Sequence, residues 1–229
     1  MAEVSHIRAR RENWTRGGPV VTQLDESEIA AVEERATASI ADPGPLGLWA
    51  LATGSWIFGV TVAAFPQSTL TATIPILLLF AGVAQFIAGL YGFRRTNVLM
   101  ATAFCSFGAL YAVLGLFSAM DASNSLAGVA DAPVIQGFLL VSFGFISLAL
   151  AIAAMRTNAV LVAVFATLCV GFTLIGISHF AGAAEGWGVL STIGGWFLCA
   201  SAVFAYYAGM AMVVNSTWQR TAMPMGGQP

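Results

Sequence analysis

Six long apolar runs, separated by short polar turns, make up most of this sequence. They cover approximately residues 46–65, 74–93, 98–119, 134–155, 159–180 and 188–214. An α-helix needs roughly 20 residues to cross the hydrocarbon core of a bilayer, and each run is about that long. The sequence therefore predicts an all-α, polytopic membrane protein whose six transmembrane helices lie in the lipid bilayer.

Charged residues are rare and are concentrated before the first run. Only 9% of the 229 residues are charged, against about 25% in an ordinary soluble domain, and most of them lie in residues 1–42. No apolar core follows the first arginines, so this segment is not a cleavable signal peptide. We expect a mostly flexible N-terminal tail (1–41), a six-helix transmembrane domain (42–215) and a disordered C-terminal tail (216–229).

The arginines predict the orientation of the chain in the membrane. The sequence has nine basic residues, all arginine, of which five precede the first run. The other four lie in the turns after the second, fourth and sixth runs: Arg94, Arg95, Arg156 and Arg220. With six helices, all of these positions share one side, and cytoplasmic loops collect arginine and lysine. We expect a multi-pass protein of the plasma or bacterial inner membrane with both termini in the cytoplasm.

The apolar runs contain no Asp, Glu, Lys or Arg. This excludes a retinal Schiff base, which needs a lysine, and a proton relay of intramembrane carboxylates. The single intramembrane histidine, His179, is either a hydrogen-bonded interfacial residue or part of a pore mouth. The three cysteines form no Cys-x-x-Cys pair, so no metal site or disulfide framework is expected.

Gln85 is the one large amide in the middle of a run. It shares a helix face with Gly82, Gly89 and Gly92, and small residues on a membrane helix normally mark close packing against another helix. An unpaired amide in hydrocarbon is costly. Gln85 should therefore either bond to a neighbouring helix or face water.

The tripeptide Arg-Thr-Asn occurs twice, at residues 95–97 and 156–158, each time just before an apolar run. A repeated hairpin of about 60 residues is found in some transporters and would suggest a duplicated unit. Shared turn chemistry, with Thr or Asn capping the next helix, explains the recurrence equally well.

The segment DPGPLGL, residues 42–48, opens the first run. Asp42 is a good N-cap, and Pro43 suits the first helical turn because its missing N–H is no loss there. The amides of Leu46, Gly47 and Leu48 then lie near the positive end of the helix, where anions bind. The motif is either an anion site or simply a well-formed helix start.

This segment resembles the Asn-Pro-x-Pro-Leu-Gly-Leu signature of the acetate uptake transporter family, which includes bacterial succinate–acetate permeases and yeast acetate and ammonia-export proteins. Three further segments resemble that family in the same order: FAGVAQFIAGLYGFRRTN, ATAFCSFGALY and GGWFLCASAVFAYYAGMAMVVN. The resemblance covers about residues 42–215. It implies six spans, cytoplasmic termini and a homohexamer with one path through each protomer.

Two departures from the family pattern affect that path. Asp42 replaces the family's Asn and adds a negative charge at the entrance, and Phe107 replaces a Tyr in what resembles a constriction. The resemblance places the constriction at three apolar residues, which would gate by excluding water: Leu51, Phe107 and Leu168.

The resemblance implies a passive or proton-linked permease or channel for acetate and similar short monocarboxylates, with succinate as a further candidate. Neutral groups would have to bind the carboxylate, namely the amides of Leu46, Gly47 and Leu48 and the side chains of Ser55, Gln85, Thr102, Ser106 and Tyr207. Without an intramembrane carboxylate, any coupled proton would have to ride on the substrate itself.

Two alternatives to acetate transport stay open. One is export of ammonia or ammonium, which the resemblance also permits. The other is a membrane acetate sensor or scaffold that does not transport, with the N-terminal tail as its effector. An enzyme is not expected, because the sequence has no nucleophile-and-base pair, metal cluster or phosphate loop. No cofactor and no nucleic-acid partner are expected either.

Overall fold

A computed structural model describes residues 40–65, 69–180 and 188–227 of the chain. The predicted N-terminal tail lies almost wholly outside the described residues. Six of the described helices are long and apolar enough to cross a membrane, which confirms the predicted all-α, six-span fold. Their bounds are α1 Gly44–Ala64, α2 Leu70–Arg94, α3 Val98–Ala122, α4 Ala132–Ala154, α5 Ala159–Phe180 and α6 Val189–Trp218.

The helices pack through glycines at their crossing points. α1 packs along α6, α2 along α3, and α5 lies between α4 and α6. A Cβ added at Gly59 of α1 would lie 2.6 Å from the carbonyl oxygen of Gly195 on α6. A Cβ at Gly171 of α5 would lie 3.0 Å from the carbonyl oxygen of Gly194 on α6. Such backbone-to-backbone contacts are typical of membrane helix packing and leave no room for larger residues.

Asparagine side chains cap two of the helices. Asn97 accepts a hydrogen bond from the Met100 amide (3.1 Å) at the start of α3. Asn158 accepts one from the Leu161 amide (2.9 Å) at the start of α5. Each bond satisfies an amide of the first helical turn, which has no partner within the helix. Capping is therefore a sufficient reason for the Asn of the repeated Arg-Thr-Asn tripeptide. We call this end of the bundle, where the described arginines lie, the arginine end.

The second span is not one continuous α-helix. Its first part, Leu70–Pro75, and its last part, Gln85–Arg94, are α-helical, but the nine residues Ile76–Ala84 form a π-helix. The change follows Pro75, which has no N–H to donate and whose ring crowds the carbonyl group four residues earlier. π-Helical segments are rare and are frequently found at functional sites. Gln85 is the first residue after this π-helical segment.

Hydrogen bonds hold part of the segment for which a disordered tail from residue 216 is predicted. The Asn215 side chain accepts a hydrogen bond from the Met223 amide (2.9 Å) and donates one to the Met223 carbonyl (2.8 Å). The Ala159 amide donates to the Gly226 carbonyl (3.0 Å). We call residues 221–227 the C-terminal strap. These bonds tie it to α6 and to the start of α5, and they explain why a segment rich in glycine and proline is held in place.

Candidate functional site

The Gln85 side chain is fully buried and unpaired. Its exposed fraction is 0%, and neither Nε2 nor Oε1 has a hydrogen-bond partner among the described residues. The sequence predicted that the amide would either bond to a neighbouring helix or face water, and it does neither in this conformation. Most buried polar groups in proteins are paired, so an unpaired amide in the bundle interior is a candidate ligand contact.

Gln85 lies at the same depth as two of the predicted constriction residues. A Cβ at Gly54 of α1 would lie 2.7 Å from Ala81 of α2 and 3.0 Å from the Tyr111 ring of α3, so these three residues share one level. A helical turn is 3.6 residues. At the level one turn nearer the arginine end, α1 carries Leu51, α2 carries Gln85 and α3 carries Phe107.

The three constriction residues are fully buried, each with an exposed fraction of 0%: Leu51, Phe107 and Leu168. The Phe107 ring centroid lies 6.4 Å from that of Phe165 and 6.0 Å from that of Phe172, which flank Leu168 on α5. It lies 5.8 Å from the ring of Phe143 on α4. All three constriction residues belong to one apolar cluster. Water does not reach them, so a path at this level is closed here.

Two of the predicted polar contacts lie on the wrong side of α3 or at its edge. Thr102 is exposed on the outer surface of the helix, and Ser106 is only half-buried. The residues of α3 that point into the bundle are instead Ala103, Phe104 and Phe107, which are buried. Helical spacing predicts that Thr102 and Ser106 share a face, but it does not say which face turns inward. Thr102 therefore does not share the buried face of α3 that carries Phe107.

Two other predicted groups already have partners. The Ser55 hydroxyl is hydrogen bonded to the Tyr111 hydroxyl (2.6 Å), and both residues are fully buried. The Tyr207 hydroxyl donates to the Pro224 carbonyl of the C-terminal strap (2.6 Å), so it is committed to the strap and not free for a substrate. Tyr111 is not among the sequence-predicted residues. Its position one turn after Phe107 on the same helix face is the signal that points to it.

The helix start at the entrance differs in detail from the prediction. α1 begins at Gly44, with Pro43 at the cap position, so Asp42 lies one residue before the cap. The Asp42 carboxylate nevertheless accepts a hydrogen bond from the Gly44 amide (2.8 Å). Asp42 thus satisfies one of the free amides of the first turn, but from a position one residue earlier than expected.

The space in front of Gly47 is filled by the Phe104 side chain and is not open to a ligand. Its amide donates to the Pro43 carbonyl (3.0 Å), and a Cβ at this position would overlap the Phe104 ring. Leu48 is buried, and only Leu46 is exposed. The predicted anion site formed by the three amides is therefore not available at Gly47, because that amide is bonded and the space before it is filled.

The remaining candidates offer no cluster of reactive groups. The Nδ1 atom of His179 is hydrogen bonded to the Ile175 carbonyl oxygen (2.8 Å), and the imidazole ring is half-buried at the end of α5. Within the described ranges, no group of three or more His, Cys, Asp or Glu side chains could hold a metal ion. What the described residues do bring together is a buried amide and an apolar constriction at one depth of the bundle.

Comparison with known proteins decides the family. Residues 26–226 match the GPR1/FUN34/yaaH family. The chain belongs to this family. It is 29% identical over 190 residues to the succinate-acetate/proton symporter SatP of Escherichia coli (strain K12), a match that covers 82% of this chain and 96% of SatP. The family resemblance inferred from sequence motifs is thereby confirmed.

Two further relatives of the chain are informative. It is 28% identical over 185 residues to ammonia transport outward protein 2 of Saccharomyces cerevisiae, covering 77% of this chain and 64% of that protein. Among solved structures, the bacterial acetate channel SatP matches with a TM-score of 0.69 and 28% identity, covering 82% of this chain and 99% of the channel. These three relatives are, by their names, a proton symporter, an ammonia transport protein and an acetate channel, and the fold is shared with the last of them.

Proposed function

We propose that this protein is a membrane permease or channel for acetate and related short monocarboxylates, with succinate as a further candidate. The observation that carries the proposal is the buried, unpaired Gln85 amide at the depth of an apolar constriction. Similarity to a succinate-acetate/proton symporter and to an acetate channel supports the choice of substrate class.

The proposed path passes Gln85 and the constriction of Leu51, Phe107 and Leu168. A bare carboxylate in a dry interior loses tens of kcal/mol of solvation on a Born estimate, so transport requires donors along the way and a short dry step. Gln85 supplies the donor at the dry step. The Ser55–Tyr111 hydroxyl pair, one turn nearer the other end, uses only one of its two O–H groups internally, and the second supplies the next polar contact. Opening of the constriction admits water or substrate, and its closing excludes both.

The arginine end is the cytoplasmic end in this proposal, and the protein works as a homo-oligomer, a homohexamer by family resemblance. The positive-inside rule supports the orientation, because the described arginines lie at that end. A reporter fused after residue 229 should behave as cytoplasmic. An external signal from the same fusion would overturn the orientation.

Ammonia export is the second candidate, because the chain is similar to a yeast ammonia transport outward protein. A path for the ammonium cation would be expected to contain a tryptophan or carboxylate cage for the ion, and the second of these is not found in the described helices. In the described helices the only acidic residue is Asp121, in the last turn of α3. Acetate is therefore the better-supported substrate.

The direct test is uptake of radiolabelled acetate into proteoliposomes that contain the purified protein, with radiolabelled methylamine as the cation control. The proposal expects protein-dependent acetate flux that Gln85→Leu strongly reduces, and no comparable methylamine flux. Deletion of residues 1–40 should leave the acetate flux intact. Absence of any protein-dependent acetate flux would overturn the proposal, and methylamine flux alone would favour ammonia export.

A further inference from the structure

We infer that the C-terminal strap is a latch, which has to leave the start of α5 before the constriction at Leu168 opens. The inference rests on the proposed function and adds to it the part of the protein that moves. It follows from where α5 is fixed to its neighbours, from what holds its first turn and from how the strap itself is held.

Close backbone contacts fix the half of α5 that lies away from the arginine end. A Cβ at Gly176 would lie 2.8 Å from the carbonyl oxygen of Gly137 on α4. A Cβ at Gly171 would lie 3.0 Å from the carbonyl oxygen of Gly194 on α6. Both contacts come after Leu168 in the helix. Small residues let membrane helices approach most closely where they cross, so this half of α5 acts as a pivot for the other half.

The first half of α5 carries the side chains that close the constriction. Residues 159–170 contain no glycine. Leu168 is flanked by Phe165 and Phe172, whose ring centroids lie 6.4 and 6.0 Å from that of Phe107 on α3. These are contacts between apolar side chains, and they separate without the loss of a hydrogen bond. Movement of the first half of α5 away from α3 therefore takes Leu168 away from Phe107 and opens the constriction.

The strap supplies hydrogen-bond acceptors for the first amides of α5. The Ala159 amide donates to the Gly226 carbonyl (3.0 Å). The Val160 amide donates to the Met225 carbonyl (3.4 Å), and Met225 also packs against the apolar cluster of the bundle. The first amides of a helix have no acceptor within the helix, so these bonds are the attachment of the start of α5. While the strap stays in place, it opposes movement of the first half of α5.

The strap itself is weakly held. Five of its seven residues are exposed, and only its two methionines are half-buried. Among the described residues, its side-chain bonds to α6 come from Asn215 and Tyr207. Segments held by a few exposed hydrogen bonds open at low free energy. Once the strap has left, the described hydrogen bond that still joins the first half of α5 to α6 runs from the Ser201 hydroxyl to the Val164 carbonyl (3.0 Å). Release of the strap is therefore the larger part of freeing α5.

The first test locks the strap to α5 with a disulfide bond. A Cβ at Gly226 would lie 3.0 Å from the Ala159 Cβ, close to the separation of about 3.5–4.5 Å between the Cβ atoms of bridged cysteines. Ala159→Cys and Gly226→Cys are combined in a chain whose three free cysteines are replaced by alanine. The bridged fraction is measured by mass spectrometry after alkylation of free thiols. Acetate flux into proteoliposomes is then compared before and after reduction with dithiothreitol.

The latch predicts that the bridge blocks transport reversibly. We expect acetate flux to fall in proportion to the bridged fraction and to return on reduction. The two single-cysteine variants are the matched controls, and their flux should respond to neither oxidation nor reduction. Equal flux in the bridged and reduced protein would make the strap a static brace and overturn the inference.

The second test loosens the strap and needs no bridge. Asn215→Ala removes three hydrogen bonds to the strap, and one such bond is equivalent to a change of about 2- to 13-fold in an equilibrium. Flux follows the fraction of time in which the strap is free, so we expect acetate flux to rise at least about twofold. Asn97→Ala is the matched control, because it removes an asparagine cap at the same end of the bundle that has no bond to the strap, and it should not raise flux. Flux of Asn215→Ala at or below that of the wild type, in protein that is still folded, would overturn the inference.

These outcomes separate the two proposals. If neither the wild-type protein nor the reduced double-cysteine variant gives acetate flux, the proposed function itself fails. If acetate flux is present but does not respond to the bridge or to Asn215→Ala, the proposed function stands and only the inference about the strap is overturned.

Discussion

Replacing Gln85 by methionine should stabilise the protein while it abolishes transport. Methionine has a similar length and volume but no strong hydrogen-bonding group. A buried polar group without a partner costs about 1–3 kcal/mol, and the Gln85 amide has no partner among the described residues. Removing that cost should raise the free energy of unfolding by about 1–3 kcal/mol. For a domain of this size, each kcal/mol shifts Tm by about 2–4 °C, so we expect a rise of roughly 2–12 °C.

Ser55→Ala is the matched control because it removes a buried polar group that does have a partner. The substitution leaves the Tyr111 hydroxyl unpaired in the interior, and it should lower the free energy of unfolding by about 1–3 kcal/mol. Tm of both variants and of the wild type would be measured in detergent from intrinsic fluorescence during heating. A fall in Tm for Gln85→Met would refute the reasoning, since it would mean that the amide is paired in the working protein.

Binding of acetate gives a second readout of the same variant. A ligand at 100 times its Kd stabilises the folded state by about 2.7 kcal/mol, so acetate should raise Tm of the wild type. It should not raise Tm of Gln85→Met if the amide is the main contact. The same rise in both proteins would place the acetate site elsewhere.

Further substitutions test three features: the constriction, the α1–α3 contact and the C-terminal strap. Phe107→Ala should lower the free energy of unfolding by about 3–5 kcal/mol and should raise acetate flux or admit succinate. Phe107→Tyr should change both stability and flux only slightly. If Phe107→Ala leaves the transport rate and selectivity in vesicles unchanged, the ring only packs the core. Gly47→Ala should lower the free energy of unfolding by about 1–3 kcal/mol, because the added methyl group overlaps the Phe104 ring. Phe104→Leu in the same chain should restore Tm. A role of Gly47 in ligand binding does not predict that rescue. Tyr207→Phe should loosen the strap, and faster hydrogen exchange at the Ala159 amide would report it; unchanged exchange would show that the remaining bonds hold the strap alone.

Sequence reasoning predicted the spans well because the signal is simple. Crossing a bilayer requires an apolar run of about 20 residues, and polar turns separate the runs. The cap residues Asn97 and Asn158 were predictable for a similar reason, since capping depends on local sequence. Gln85 could be singled out because a large amide is rare in such a run.

Features that depend on tertiary contacts could not be predicted in this way. Thr102 lies on a face defined by helical spacing, but whether that face turns inward depends on the packing of α3 against α2. The strap has a composition typical of disorder, and its order comes from the Asn215 side chain and the start of α5. The π-helix follows Pro75, yet a proline within a membrane helix predicts an irregularity without predicting its type.

The π-helix also constrains how this chain can change length during evolution. Adding or removing one residue in a regular α-helix rotates everything beyond that point by about 100° about the helix axis. Thr73 before the segment and Gln85 and Ala88 after it are all buried. Because a π-helix takes more residues per turn than an α-helix, it absorbs an extra residue without rotating the helix that follows. Loss of a single residue from Ile76–Ala84 would therefore let the segment relax to an α-helix with both sides still buried, whereas a loss elsewhere in α2 would turn one side towards lipid. Related sequences should therefore tolerate a one-residue deletion in this segment better than in the α-helical parts of α2.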